Sequence, residues 1–194
     1  CRVIRRAAQD AFTAKDLFGP ERTPKTLRVR AQRMAEYAVI LRGLQVRTFD
    51  RVFDHVAHEL EEASEQLYKA AVQRNTAPLD RVRELLGKIY RSMVLVDEHW
   101  RLEEILGVVA EHHHRSQPLS DDQKRVFIDE LSGIHSTLTT KDSLTGELIG
   151  EGFERDVLSV VIGNALLART DLSNVVGVNL RHCYEHLKAA CAPL

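Results

Sequence analysis

Residues 78–109 read PLDRVRELLGKIYRSMVLVDEHWRLEEILGVV. Within them Leu79, Val82, Leu86, Ile89, Met93, Val96 and Trp100 follow one another at three, four, three, four, three and four residues. That alternation draws one apolar stripe along a helix, of the width used where two helices pack. Pro78 suits a first helical position, and Thr76 lies two residues ahead of it as a cap. A helix from Pro78 to Val109 would be roughly 45 Å long at the usual rise per residue. Its stripe needs other helices to cover it, so the spacing predicts a bundle.

Working outward, Phe49, Val52, Val56, Leu60, Ala63, Leu67 and Ala70 predict a helix over Thr48–Gln73, with Glu59, Glu61, Glu62 and Glu65 on its outer face. The connection Arg74-Asn75-Thr76 is short enough to force an antiparallel hairpin. An earlier helix starts at Thr23-Pro24 and buries Leu27, Ala31, Met34, Tyr37, Ala38 and Leu41, with Gly43 near its end. Residues 1–23 read as a loosely attached lead-in that includes either a short helix over 3–17 or no regular structure. Downstream, Ser120-Asp121-Asp122 opens a helix carrying Val126, Phe127, Leu131, Ile134 and Leu138. The polar stretch 139–152 holds Gly146, Gly150 and Gly152 and reads as an irregular loop. A helix over Phe153–Ala168 follows, with Val157, Val160, Val161 and Leu167 inward, then a last one over Leu172–Ala190 capped by Thr170 or Asp171. The fold class is all-α: an elongated antiparallel bundle of about five to six helices in one domain over 1–194.

The totals agree with this. Of 194 residues, 44% are hydrophobic, 28% charged and only 6% aromatic, a balance that suits helices. The net charge of −1 argues against duplex DNA or an anionic membrane as a general electrostatic partner. Arg28, Arg30 and Arg33 read as a solvated helix face, so no nucleic-acid partner is expected. Cys1, Cys183 and Cys191 show no ligand spacing and are read as reduced thiols in a cytoplasmic setting. No run of 18 apolar residues is present. The chain starts without Met and without a signal peptide, so it reads as a piece of something longer.

Three constellations carry possible chemistry. Asp54, His58 and Glu62 are four apart on one helix face; Asp97, His99 and Glu103 lie on the next helix, and a hairpin about residue 76 brings position 54 opposite about position 98. Facing carboxylates and imidazoles are how bundles build metal sites, so these six are the candidate ligands for a divalent metal. Cross-helix ion pairs on a solvated face are the plainer reading. His182-Cys183-Tyr184-Glu185-His186 has the H-x-x-E-H form of an inverted zinc-protease motif, without room for a third ligand after it. His112-His113-His114 is a metal candidate or simply a helix end, where imidazoles suit the negative dipole pole. No cofactor and no reaction centre follow from the residues.

Leu172-Ser173-Asn174-Val175-Val176-Gly177-Val178-Asn179-Leu180-Arg181-His182 resembles the (I/L)-S-T-L-L-N-V-N-R-E segment near the C-terminus of bacterial sodium-dependent phosphate cotransporter proteins. Ser173, Val178 and Asn179 match, and Val175 and Val176 are conservative. Gly177 and Leu180 depart from the pattern where Asn and Arg stand. The stretch Val82-Arg83-Glu84 through Asp97-Glu98-His99 is loosely similar to that family's central helix, with Val96 standing where Lys would be. The resemblance implies a PhoU-like cytoplasmic helical domain at the inner face of the membrane. Such a domain regulates phosphate transport by contact with a membrane transporter domain of the same or a partner chain, and a homodimer is left open. PhoU-like bundles can carry metal on E/D-x-x-x-D patterns, to which Asp54-x-x-x-His58 and His99-x-x-x-Glu103 are the nearest analogues here.

Overall fold

Thr23 and Pro24 start a helix for a reason that is visible in the hydrogen bonds. Thr26 N–H donates to Thr23 Oγ1 at 3.2 Å, and Thr23 N–H donates to Thr26 Oγ1 at 3.1 Å, a reciprocal cap like that of a Ser/Thr-x-x-Glu box. The computed structural model describes residues 6, 10, 19, 22–43, 50–141, 155–174 and 177–192. Six helices are described: α1 Pro24–Gly43, α2 Asp50–Gln73, α3 Ala77–His114, α4 Asp121–Thr139, α5 Arg155–Leu172 and α6 Leu180–Cys191. The fold is an all-α helical bundle, with no strand among the described residues. The readings for 3–17, for 142–152, for Phe49, Phe153 and Val157, and for Val175 and Val176 lie outside the described residues or side chains. The chain, read from sequence as one domain, divides into two compact units: one ends at Val94 and the other begins at Leu95, within α3.

In the first unit α1 buries Leu27, Ala31, Met34, Ala38 and Leu41, as the spacing predicts, while Tyr37 is half-buried. α2 buries Val52, Val56, Leu60, Ala63, Leu67 and Ala70, and adds Phe53, Ala57 and Ala71. The first part of α3 buries Leu79, Val82, Leu85, Leu86, Ile89 and Met93. Ser64 Oγ donates to the Ala31 carbonyl at 2.8 Å, and Arg42 reaches Glu61, so α1 and α2 run antiparallel. Between α2 and α3, Arg74 takes a left-handed φ of 52°, and Asn75 Oδ1 accepts from Ala77 N–H at 3.1 Å. The chain then turns back, and Arg81 of α3 meets Glu62 of α2.

In the second unit the stripe of α3 changes. Leu95, Leu102, Ile105 and Val109 join the core, whereas Trp100, expected on the buried face, is 38% exposed. The helix continues beyond Val109 to His114 and ends in a Schellman motif: Gln117 N–H donates to the His112 carbonyl, Ser116 N–H to that of His113, and Ser116 has φ 52°. Ser120 opens α4 with a capping box, its Oγ accepting from Gln123 N–H at 3.2 Å and Gln123 Oε1 accepting from Ser120 N–H at 2.9 Å. α4 buries Leu131, Ile134 and Leu138; Phe127 packs at the edge of the core and Val126 is exposed. On α5 the buried residues are Val161, Ala165, Ala168 and Leu172, while Val160 and Leu167, expected inward, are exposed. Two of the four are alanines, which a reading that favours large apolar residues overlooks.

The last helix begins at Leu180, not at Leu172. Gly177 has φ +153°, which no helix accommodates, so the predicted continuous helix is broken there. Thr170 and Asp171, expected to cap that helix, both lie inside α5, where the Thr170 hydroxyl donates to the Leu166 carbonyl. Asn179 is the cap of α6, its Oδ1 accepting from His182 N–H at 3.2 Å. α6 buries Cys183, Leu187 and Ala190. Among the described residues no helix is long and apolar enough to cross a membrane.

Candidate functional site

The sequence places six ligand-type residues on α2 and α3. Asp54, His58 and Glu62 belong to the first unit, and Asp97, His99 and Glu103 to the second. On α2, Asp54 and His58 are exposed, with Arg42 Nη1 3.9 Å from Asp54 Oδ1. Glu62 is half-buried and held by the guanidinium of Arg81, with Nε–Oε1 at 2.7 Å and Nη2–Oε2 at 3.2 Å. This fork holds the Glu62 carboxyl below its usual range. The neighbouring Glu61 is gripped in the same way by Arg42, at 3.0 and 2.8 Å. Carboxylates on this face therefore face guanidinium groups of the adjoining helices.

Glu59 departs from the expected outer face. It is 4% exposed, and its Oε2 is buried without a hydrogen-bond partner. Oε1 lies 3.3 Å from His55 Nε2. Burial pushes this carboxyl up to about 7, against the opposing pull of Lys88 and Arg91 on α3. Arg91 is itself buried, 4% exposed. The signal was present in the spacing: position 59 follows Val56 by three residues and precedes Ala63 by four, so it falls on the buried stripe beside Leu60.

On α3 the structure separates the second trio by use. His99 is 1% exposed, and its Nε2 lies 3.1 Å from the Cys191 carbonyl oxygen. A carbonyl only accepts, so Nε2 carries the proton and His99 ties α3 to the end of α6. Glu103 Oε2 is 3.9 Å from the other ring nitrogen, Nδ1. Asp97 is half-buried. Glu98, which the sequence reading leaves out, is 7% exposed and pairs with Arg101 Nη1 at 2.6 Å; Arg101 Nε is 3.8 Å from Glu130 on α4. Among the described residues no three His, Cys, Asp or Glu side chains come together as a metal-holding group.

Four other histidines, His112, His113, His114 and His186, also join helices. His112 Nδ1 donates to the Pro118 carbonyl at 3.2 Å, and its Nε2, 3.3 Å away, accepts from Gln123 Nε2. His113 stacks on Tyr184 with ring centres 5.3 Å apart, and His114 meets the same ring edge-on at 5.9 Å. In the H-x-x-E-H segment, His182 and Glu185 are exposed, whereas His186 Nδ1 lies 3.3 Å from Asn164 Oδ1 and its Nε2 3.7 Å from Asp171. Burial, aided by Asp171, pushes the Cys183 thiol up to about 12. Burial, aided by Glu103, pushes Cys191 up to about 11, so both are poor nucleophiles near neutral pH. An open groove of about 520 Å³ runs between α1 and α2, bordered by Arg28, Gln32, Glu65 and Tyr68. No protein-family model, curated protein or solved structure matches the chain.

Proposed function

We propose that the chain is a regulatory or interaction domain that works by contact and not by catalysis, tied to a phosphate transport system of the sodium-dependent cotransporter type. The observation that carries the contact half is the use of the polar side chains. Arg42 with Glu61, Arg81 with Glu62, and His99 with the Cys191 carbonyl each fasten one helix to another. Groups committed in this way serve a scaffold, whose output is the shape and chemistry of its outer faces. The transport half rests on Ser173, Val178 and Asn179 in the segment that resembles the cotransporter C-terminus. In this chain Asn179 caps α6, and Ser173 Oγ donates to the Arg169 carbonyl at 2.8 Å, both at helix ends.

The partner under this reading is a membrane transporter domain. The test is uptake of radiolabelled phosphate by cells of the source organism, with the region encoding these residues intact or deleted in frame. Altered uptake at equal levels of the remaining protein supports the proposal. Unchanged uptake, together with no binding of the purified domain to a sodium/phosphate transporter in vesicles, overturns it.

A further inference from the structure

In the first unit the start of α1 and the end of α2 border a cavity of about 300 Å³. Its apolar lining includes Leu27 and Ala70, both buried, and its polar lining includes Arg22, Arg74 and Asn75. No acidic side chain among the described residues lines it. Elsewhere in the unit Arg42 is held by Glu61 and Arg81 by Glu62, whereas Arg22 and Arg74 make no ion pair among the described residues. Two guanidinium groups that share one cavity disfavour each other, and an anion between them relieves this. The other polar groups are largely spoken for. The hydroxyls of Thr23 and Thr26 serve each other, Thr23 Oγ1 also accepts from Thr26 N–H, and Asn75 Oδ1 accepts from Ala77 N–H. What the cavity offers a ligand is therefore the two guanidinium groups and the amide Nδ2 of Asn75, not the helix start.

We propose that this cavity binds a phosphate group, held by Arg22 and Arg74, whether it arrives as inorganic phosphate, as a small phosphate monoester or as a lipid headgroup. A guanidinium presents paired, planar donors that match two phosphate oxygens. A phosphate group carries about 1.5 to 2 negative charges at neutral pH, so it can answer both arginines, whereas a carboxylate answers one. Leu27 and Ala70 give an apolar surface for the carbon part of an organic phosphate. Arg22 precedes α1, and Arg74 and Asn75 lie in the turn from α2 to α3, so a bound phosphate ties that turn to the start of α1. The proposal does not rest on the transport reading; it is carried by the cavity and its unpaired arginines.

The test is isothermal titration calorimetry of the whole chain with inorganic phosphate and with phenyl phosphate, beside co-sedimentation with phosphatidylcholine vesicles made with and without phosphatidic acid. The wild type is expected to bind at least one phosphate-bearing probe at low salt. Arg22→Gln and Arg74→Gln are each expected to weaken that binding at least ~10-fold, and Arg28→Gln, outside the cavity, to change it less than ~2-fold. Binding of either soluble probe identifies a free phosphate or monoester as the ligand; binding only to vesicles that contain phosphatidic acid identifies a headgroup. Amide hydrogen exchange on the wild type gives a second measurement that does not depend on the variants folding. Protection of residues 22–27 and 70–77 is expected to rise when the probe is bound. Binding of no probe, binding that neither substitution weakens, or protection that rises only elsewhere would overturn the proposal.

Discussion

The first unit joins its helices with guanidinium–carboxylate forks, and the second with imidazoles and a longer Arg101–Glu130 contact, its helix starts closed by side-chain caps. Arg42 grips Glu61 and Arg81 grips Glu62 with side chains that remain 28–45% exposed. In the second unit His99 reaches the Cys191 carbonyl and His112 the Pro118 carbonyl, while Ser120 and Asn179 close the helix starts. Exposed forks contribute little, about 0–1 kcal/mol each. The first unit is therefore held by its stripes of Leu, Ile, Val and Met along long helices. The second unit has large buried residues of its own, Leu102, Ile105, Leu131 and Ile134 among them, and adds alanines on α5 and several single-atom contacts. Large apolar stripes tolerate small errors of position, whereas caps and alanine seams do not.

The largest effect is expected from a charge buried in each core. Ile89 in the first unit and Ile134 in the second are both fully buried. Ile89→Asp and Ile134→Asp are each expected to cost more than about 4 kcal/mol, because an aspartate there has no partner. Circular-dichroism melts and limited proteolysis would show it. An Ile89→Asp protein that melts like the parent would mean that the buried face of α3 is wrongly assigned.

A finer test separates large from small residues on α5. Ala168 is fully buried and Leu167 is 49% exposed, although the sequence favoured Leu167 as the inward residue. Ala168→Leu is expected to cost about 1–3 kcal/mol by overpacking. Leu167→Ala should change stability by less than about 0.5 kcal/mol, as exposed substitutions usually do. Urea titrations of the two variants side by side would sharpen or reverse the assignment.

These cases mark where the sequence was legible. α1, α2 and the first half of α3 have apolar residues at three and four over many turns, so their faces were readable from Leu27 to Met93. Val96 kept both the spacing and the burial, at 1% exposed, whereas Trp100 kept only the spacing, because there the core takes up Leu102 and Ile105 instead. Spacing says which residues share a face; it does not say which neighbour covers that face. Glu59 was misplaced for a related reason, since charge was weighed above position. The break at Gly177 was hidden by apolar neighbours, although glycine is the residue that permits φ +153°. Of the candidate ligands, membership of α2 and α3 was readable. Their partners Arg42, Arg81 and the Cys191 carbonyl were not, because those contacts join residues 12 to 92 positions apart.

Caps offer a smaller effect. Ser120→Ala removes the side chain that accepts from Gln123 N–H and leaves that donor to water, and about 1 kcal/mol is expected to be lost. A melt unchanged by Ser120→Ala would show that the second unit depends less on its helix ends than the comparison holds.

The smallest effects are gains, one available in each unit. Arg74 ends α2 and Ser116 ends α3, both with φ 52° and both with a Cβ that this conformation disfavours. Glycine takes the same conformation without that penalty but has more freedom to lose on folding. The two effects oppose each other, and the strain is the larger where the backbone geometry is fixed by hydrogen bonds. At Ser116 it is fixed by two bonds, from Ser116 N–H to the His113 carbonyl at 3.1 Å and from Gln117 N–H to the His112 carbonyl at 2.9 Å. At Arg74 the neighbouring turn is held by the Asn75 side chain on Ala77 N–H. Ser116→Gly and Arg74→Gly are each expected to stabilise by up to about 1 kcal/mol, with Ser116→Gly the larger. Denaturant midpoints precise enough to resolve that difference would decide it. If Arg74→Gly gained more, the turn between α2 and α3 would be the more strained of the two, and the first unit would depend on its connection as well as on its stripes.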